Sequence, residues 1–475
     1  MRRYASTFPP VWQVTLGYPE VLRYLGQRDE VTFIEGDLAH RIRPPLSGVS
    51  VGHAGITPGI FHNMVNELHR PDRADAEGHP TWLLALLGVA AAVAFVAHDR
   101  LLSFEQFYGL FGNGIDAVVY RYGGHTVLES EPLYTFMLED ALPFTYPPFA
   151  ALIFAPLAYL SVAGAQTLVA VLNIGLLYMA VHLSWRQLGY ENTTRLRLLS
   201  MFLAVVFTWL EPVRMTIWLG QINLLLLVLV LWDLGRPAGS RLRGVGVGIA
   251  AGLKLTPALF IVLLAVVRDT RAFICASVTF VTTIIVGFVV IPGDSWTYWT
   301  GTIVRSDRIG LISSPANQSI RGILARMLHT ENPPTVLWIA CAGVVAVGGL
   351  WAAHIAHSRG EHLLALTICG LTAPMISPFS WGHHWVWTVP LIILTLHYAA
   401  RIRTWRSAVL PVVLVLPLLA WYKIYPDGTV AIGIFMTPGI AVVRVAAQTA
   451  YPIVYLLMLT IAVVSLARRP VRSPI

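Results

Sequence analysis

TWLLALLGVAAAVAFVAH, residues 81–98, contains no Asp, Glu, Lys or Arg. It approaches the roughly 20 apolar residues that a helix needs to cross hydrocarbon. Residues 165–185, 273–291, 336–353 and 451–466 repeat the pattern, so several helices of spanning length are expected from one chain. Composition agrees: 56% of the 475 residues are apolar and 12% are charged, with mean hydropathy +0.65. A soluble domain carries roughly a quarter charged residues. The expected fold class is an all-α polytopic membrane protein.

The three cysteines, Cys275, Cys341 and Cys369, sit in apolar segments without metal-ligand spacing, so neither a disulfide framework nor a zinc site follows. The net charge of +8 is carried by arginines in short segments between apolar stretches. That is the positive-inside pattern, which speaks for orientation in a bilayer and against nucleic-acid binding. Groups at Arg186, Arg195 and Arg197, at Arg236, Arg241 and Arg243, at Arg268 and Arg271, and at Arg401, Arg403 and Arg406 all read as cytoplasmic, as does the basic tail 468–475.

Residues 1–80 mix Pro, Gly, His and charges without sustained period and read as a cytoplasmic tail; Met64 inside it offers an alternative start. The main domain is expected over 81–467. Two long polar segments read as external loops. Loop 99–146 holds Asp116, Glu129, Glu131, Glu139 and Asp140 against Arg100 and Arg121. Loop 292–334 holds Trp296, Tyr298 and Trp299, which suit a membrane interface. Counting every apolar stretch as a crossing would put some arginine segments outside, so some stretches are expected not to cross. The candidates are 147–161, 244–267 broken at Pro257, and 430–443 broken at Thr437-Pro438-Gly439. Broken helices are tolerated where protein or water satisfies the backbone, which implies a cavity. Roughly 10 to 13 hydrophobic helices, some short, are expected around an internal site.

Asp116 opens a polar loop soon after the first apolar segment, and a carboxylate beside a hydrophobic bundle can serve as general base for a lipid-borne substrate. The competing reading is a cap on a helix starting at Ala117. Tyr120, Arg121 and Tyr122 follow, and Phe144-Thr145-Tyr146-Pro147-Pro148 closes the loop with aromatic surface of the kind that stacks on sugars. Lys254, in Leu253-Lys254-Leu255-Thr256-Pro257, lies roughly 16 Å of helix from Arg243. Such an ammonium meets an anion, lipid phosphate above all, or snorkels to the surface. Asn317, Gln318 and Arg321 supply two amides and a guanidinium suited to phosphate or sugar hydroxyls, or else form an ordinary helix start. His383 and His384, flanked by Trp381, Trp385 and Trp387, either bind or protonate a phosphate or belong to an aromatic belt. Adjacent histidines diverge on a helix, which argues against a metal site from this pair. If a helix resumes at Trp385, His384 occupies its N-terminus and His383 turns to the interface. Gln221 and Asn223 begin another apolar run and serve either a substrate or helix packing, Asn223 the latter; Glu211 and Arg214 read as an interfacial pair.

Taken together, Asp116-Ala117-Val118-Val119-Tyr120, Leu142-Pro143-Phe144-Thr145-Tyr146-Pro147-Pro148-Phe149, Leu219-Gly220-Gln221-Ile222-Asn223, Leu253-Lys254-Leu255-Thr256-Pro257, Asn317-Gln318-Ser319-Ile320-Arg321-Gly322 and Ser377-Pro378 through Trp387 resemble glycosyltransferase family 87, of the GT-C class, and its actinobacterial α-(1→2)-mannosyltransferases. The resemblance spans about 81–467; residues 1–80 have no counterpart. It implies a GT-C bundle and inverting transfer of mannose from polyprenyl-phosphate-mannose to a phosphatidylinositol mannoside glycolipid at the outer face of the plasma membrane. Relatives branch the mannan of lipomannan and lipoarabinomannan or transfer arabinofuranose. The implied roles are Asp116 as base, His384 in the catalytic pocket, and Lys254, Arg321 and His383 at the donor phosphate. Tyr120, Tyr146, Gln221, Asn317, Gln318 and Trp381 are expected to line the substrate site. The donor carries its own leaving group, so no nucleotide site or other cofactor is expected and a metal is dispensable. A polyprenyl-lipid transporter is the rival class; it would show internal repeats and a midplane site. Convergence of Asp116, Arg321 and His384 on one pocket discriminates the two.

Overall fold

The computed structural model describes residues 81–467 apart from 102, 105–107, 136, 139–141, 306–308, 403–408, 426–427 and 437–440. The expected N-terminal tail with Met64, the acidic Glu139 and Asp140, Arg403 and Arg406, and the basic tail 468–475 lie outside the described residues.

The described chain is mostly helix. It runs α1 Thr81–Leu101, α2 Ile115–Leu128, α3 Pro148–Phe154, α4 Val162–Gln187, α5 Thr194–Phe207, α6 Glu211–Leu219, α7 Asn223–Leu234, α8 Val245–Leu253, α9 Ala258–Val266, α10 Thr270–Val290 and α11 Pro292–Thr300. It continues through α12 Ile320–Met327, α13 Thr335–Ser358, α14 His362–Ile376, α15 Thr388–Ile402, α16 Val409–Val415, α17 Ala441–Gln448 and α18 Ala450–Ala467. Side-chain caps start several of them: Ser161 accepts from the Gly164 N–H, Thr193 from Leu196 and Asp269 from Ala272. Two small antiparallel hairpins complete the described strands, β1 Met137–Leu138 with β2 Leu142–Pro143, and β3 Trp421–Tyr425 with β4 Gly428–Ile432.

Helices α1, α4, α10, α13 and α18 are long and apolar enough to cross a membrane, one for each of the five stretches read from the sequence. A sixth is reached if α6 and α7, bent by 116° at their junction, count as one span. Large apolar side chains stand outward along these helices, among them Val93 (63% exposed), Val278 (59%) and Val344 (74%). A surface of this kind is stable against hydrocarbon, not water. Four shorter apolar helical segments, Pro148–Tyr159, His362–Ile376, Thr388–Ile402 and Val409–Leu418, pack among the long ones.

The breaks position the site. Segment 147–161 is a short helix followed by a 3-10 turn, Ala155–Tyr159. Segment 244–267 divides into α8 and α9 because Pro257 has no N–H to give the Leu253 carbonyl and disfavours helical geometry at Thr256. Lys254 sits in that break, in extended conformation. In segment 430–443 the residues before the expected break are not helical, 430–432 belonging to strand β4 with a 3-10 turn Ile434–Met436 after it, and the break itself, Thr437-Pro438-Gly439, lies outside the described residues. The β-branched Thr429 and Val430 fit a strand as well as a helix end. The bend between α6 and α7 was not expected. Gly220 makes it, with φ +73 and N–H bonds from Gly220 to Ile217 and from Gln221 to Thr216, a Schellman closure. A side chain at 220 would also press on Ala117, whose Cβ would lie 3.0 Å from the added carbon.

Candidate active site

The start of α2 docks on the α6–α7 bend. The Gly114 N–H donates to the Trp218 carbonyl at 2.7 Å, and the Asn113 side chain accepts from the Ile115 N–H at 2.9 Å. Helix α2 therefore begins at Ile115, not at Ala117, and Asp116 lies within its first turn instead of capping it. Its carboxyl is released toward Gln221, the residue immediately after the bend.

Gln221 is the hub. Its Oε1 accepts from Tyr120 Oη at 3.0 Å, from Tyr146 Oη at 2.9 Å and from Lys254 Nζ at 3.4 Å, and the Asp116 carboxyl lies close enough for the Gln221 side chain to favour its charged form. The two tyrosine hydroxyls also lie 2.9 Å from each other, one donating to its neighbour, so they close around the amide oxygen as a cluster. Asn173, near the middle of the long helix α4, donates to the Gln221 backbone carbonyl at 3.1 Å. A polar residue buried in mid-span was the available signal for that support, and sequence reasoning passed over it.

Lys254 points inward from the α8–α9 break. Its Nζ donates to Asn223 Oδ1 at 3.0 Å and lies 5.3 Å from the Tyr146 ring centroid. Snorkelling is therefore not its conformation. Asn223 Nδ2 in turn donates to the His383 carbonyl at 2.9 Å, tying α7 to the 3-10 turn Gly382–Trp385. Through this chain Lys254 acts electrostatically on Asp116, His383 and His384 together.

Asp116, Lys254 and His384 each keep part of their surface open, while Tyr120, Tyr146, Gln221, Asn223 and His383 are buried around them. Burial raises the Asp116 carboxyl to about 6, against the Gln221 side chain and the Lys254 ammonium, which both lower it. Burial, and Lys254 after it, holds both imidazoles well below their ordinary value, so they are neutral at pH 7. His384 Nδ1 is enclosed without a protein hydrogen-bond partner, a group that a substrate oxygen can satisfy. Beside it opens a small cavity of about 30 Å³ that carries Asn223, Thr256 and His384 among apolar walls such as Leu226, Phe260 and Trp387.

Several expected placements differ. No helix resumes at Trp385: the paired histidines lie in a 3-10 turn and α15 starts at Thr388, so a helix N-terminus at His384 is not its setting. His383 does not turn to an interface but is 5% exposed, packed edge-on against His384. The rings of Tyr120 and Tyr146 are buried, Tyr120 stacked on Phe154, and reach the site through their hydroxyls. Asn317 and Gln318 are buried and bonded to backbone. Asn317 Nδ2 donates to the Ile312 carbonyl, and its Oδ1 accepts from the N–H groups of Ser319 and Ser380. Gln318 Nε2 donates to the carbonyls of Pro315 and Gln448, and its Oε1 accepts from the Tyr451 N–H. The Arg321 guanidinium lies over the Trp338 ring, 5.3 Å from its centroid. Arg326, which sequence reasoning did not single out, holds the same loop through the carbonyls of Ser314, Asn317 and Gln448. Trp381 packs against the small core of Ile312, Ala325 and Phe379. Glu211 and Arg214 are not an interfacial pair: both are 2% exposed, Glu211 accepting from Tyr451 Oη and Arg214 donating to the Tyr108 carbonyl. Among the described residues, no three His, Cys, Asp or Glu side chains gather as metal ligands.

The sequence pattern of glycosyltransferase family 87 matches residues 144–378. The chain is 34% identical over 332 residues to the polyprenol-phosphate-mannose-dependent alpha-(1-2)-phosphatidylinositol mannoside mannosyltransferase of Mycobacterium tuberculosis, covering 66% of this chain and 75% of the relative. Its counterpart from Mycolicibacterium smegmatis is 37% identical over 320 residues, covering 62% and 72%. A polyprenol-phosphate-mannose-dependent alpha-(1-2)-phosphatidylinositol pentamannoside mannosyltransferase of Mycobacterium tuberculosis is 36% identical over 299 residues, covering 61% and 68%. No solved structure matches the chain. With that identity held over two thirds or more of these relatives, the chain belongs to glycosyltransferase family 87.

Proposed function

We propose that the protein transfers mannose, with inversion, from polyprenyl-phosphate-mannose to a phosphatidylinositol mannoside, forming an α-(1→2) linkage at the outer face of the plasma membrane. The observation that carries the reading is the placement of the Asp116 carboxyl and the Lys254 ammonium beside Gln221, an acid and a cation that act on each other in one partly open site. Asp116 takes the proton from the acceptor hydroxyl as its oxygen attacks the anomeric carbon. The bond from that carbon to the phosphate oxygen breaks, and the electron pair leaves on the phosphate, where Lys254 and a donated N–H of neutral His384 receive the charge.

Relatives named for phosphatidylinositol mannoside and for its pentamannoside are similar to this chain at nearly equal identity, so acceptor length is the open choice. The test is a purified-protein assay with polyprenyl-phosphate-mannose and a panel of phosphatidylinositol mannosides of increasing mannose number, with product linkage determined. A new α-(1→2)-mannose on one acceptor size is expected. Transfer to no member of the panel by folded protein would refute the reading.

A further inference from the structure

Glu211 is a carboxylate with 2% of its surface exposed, at the start of α6 and outside the cluster around Gln221. Nothing in the chemistry proposed above uses it. Among the described residues it forms no salt bridge; its Oε2 accepts from Tyr451 Oη at the start of α18. Burying a carboxylate with one phenolic donor is costly, so its retention needs a reason.

The reason lies across from it. The carboxylate rests flat against the Cα of Gly382, so closely that a methyl group at 382 would overlap both carboxylate oxygens and Cδ. Gly382 directly precedes His383 and His384 and opens the 3-10 turn that carries them. Further along, Asn223 Nδ2 donates to the His383 carbonyl at 2.9 Å, and Thr216 Oγ1, whose proton goes to the Pro212 carbonyl at 2.7 Å, lies 3.4 Å from the same oxygen. The α6–α7 unit thus fixes the paired-histidine turn at two points, Glu211 against Gly382 and Asn223 on the His383 carbonyl. Tyr451 closes the arrangement from the other side, its ring 5.4 Å from that of Trp385.

We propose that Glu211, held by Tyr451 and seated on Gly382, is a positioning residue that sets where His384 stands relative to Lys254 and Asn223. The inference rests on the reading of His384 as a group facing the donor phosphate. Shape and hydrogen-bond acceptance carry the role, so Glu211→Gln preserves it, whereas Glu211→Asp withdraws the carboxylate from Gly382 by one methylene. Gly382→Ala drives the turn away from the carboxylate, and Glu211→Ala vacates the space that Ala at 382 would need. The two sites are therefore coupled, and their effects should not multiply.

The experiment measures mannosyl transfer per folded, monodisperse molecule together with carbethoxylation of His384 by diethyl pyrocarbonate, followed by mass spectrometry with the exposed His362 as reference. Gly382→Ala and Glu211→Asp should each lower kcat about tenfold or more with acceptor KM within about twofold, as expected of displacing a catalytic group by about an ångström. Glu211→Gln should stay within about threefold of wild type, and Gly382→Ala combined with Glu211→Ala should fall no further than about threefold below Glu211→Ala alone. Carbethoxylation of His384 relative to His362 should change at least about threefold in Gly382→Ala, because exposure governs access to the imidazole. Losses that multiply, or a Gly382→Ala protein with wild-type turnover and wild-type His384 labelling, would overturn the proposal. If Gly382→Ala does not fold, the Gln and Asp variants decide: equal turnover in both overturns it. A wild-type protein without mannosyl transfer would defeat the functional reading, and the labelling arm would still test the positioning.

Discussion

Two segments rich in amides and cations look alike in the sequence and are used in opposite ways. Around Gln221, side chains from α2, the 144–148 segment, the α6–α7 bend and the α8–α9 break bond to one another, and Asp116, Lys254 and His384 retain open surface. Around Asn317, the polar side chains of the 312–326 segment bond to backbone carbonyls and N–H groups of their own loop, of Ser380 and of Gln448. Loops buried without regular ladders must satisfy their backbone with side chains, and such side chains are withdrawn from chemistry. The first segment is spared this because helix ends meet there, with a Schellman closure at Gly220 and the Asn113 bond at Ile115 already serving the backbone.

The comparison is broken most directly at Asp116. Asp116→Asn should nearly abolish transfer, by roughly 10²-fold or more, with folding and donor binding retained, because it keeps the shape and removes the base. More than about a tenth of the wild-type rate would defeat the assignment. The same carboxyl sets a pH limb. A group raised to about 6 is protonated and inactive as a base below that pH and ionised above it, so kcat/KM should climb through pH 6 toward neutrality. A limb near the ordinary value of about 4 would show that the burial around Asp116 does not act on the reaction.

Lys254→Met should come next in size, weakening the polyprenyl-phosphate donor and its phosphate product more than the acceptor, by about tenfold, since it removes the charge and keeps the stem. Equal losses for both ligands would make the lysine a structural partner of Asn223. Asn317→Ala should do the reverse and destabilise the fold by about 2 kcal/mol, leaving two N–H groups and a carbonyl without their partner, while substrate KM in surviving protein changes little. Thermal unfolding beside KM separates the outcomes. The smallest effect is expected at Arg321→Gln, within about threefold in turnover, because an exposed or half-exposed cation over an aromatic ring contributes about 1 kcal/mol or less. A loss as large as that of Lys254→Met would return Arg321 to the donor site.

Five spans were legible because an uninterrupted apolar window has one stable solution in a bilayer, whatever packs beside it. The break at Lys254 was legible because proline acts on its own neighbours. The bend at Gly220 was not: Leu219 and Ile222 on either side of it are apolar, and the left-handed turn at the glycine, with Ala117 of a distant segment packed against it, is seen only in the fold. The hairpin at 421–432 was hidden in a run of β-branched and aromatic residues that also reads as a helix end. At the site, Asp116 and Lys254 could be singled out by the cost of placing charge beside apolar segments, but their meeting through Gln221 is a tertiary fact. The roles of Asn317, Gln318 and Arg326 depended on carbonyls at Gln448 and an N–H at Ser380, which no local pattern announces.

The central claim is that the donor phosphate sits against Lys254 and His384, within reach of the Asp116 side of Gln221. A cryo-EM or crystal structure of the protein with a non-transferable phosphonate analogue of polyprenyl-phosphate-mannose tests it in one measurement. The account predicts phosphonate density within about 4 Å of Lys254 Nζ, with the mannose between it and Asp116. Phosphonate density against Arg321 and the 312–319 loop, with the Gln221 cluster unchanged and empty of ligand, would contradict it.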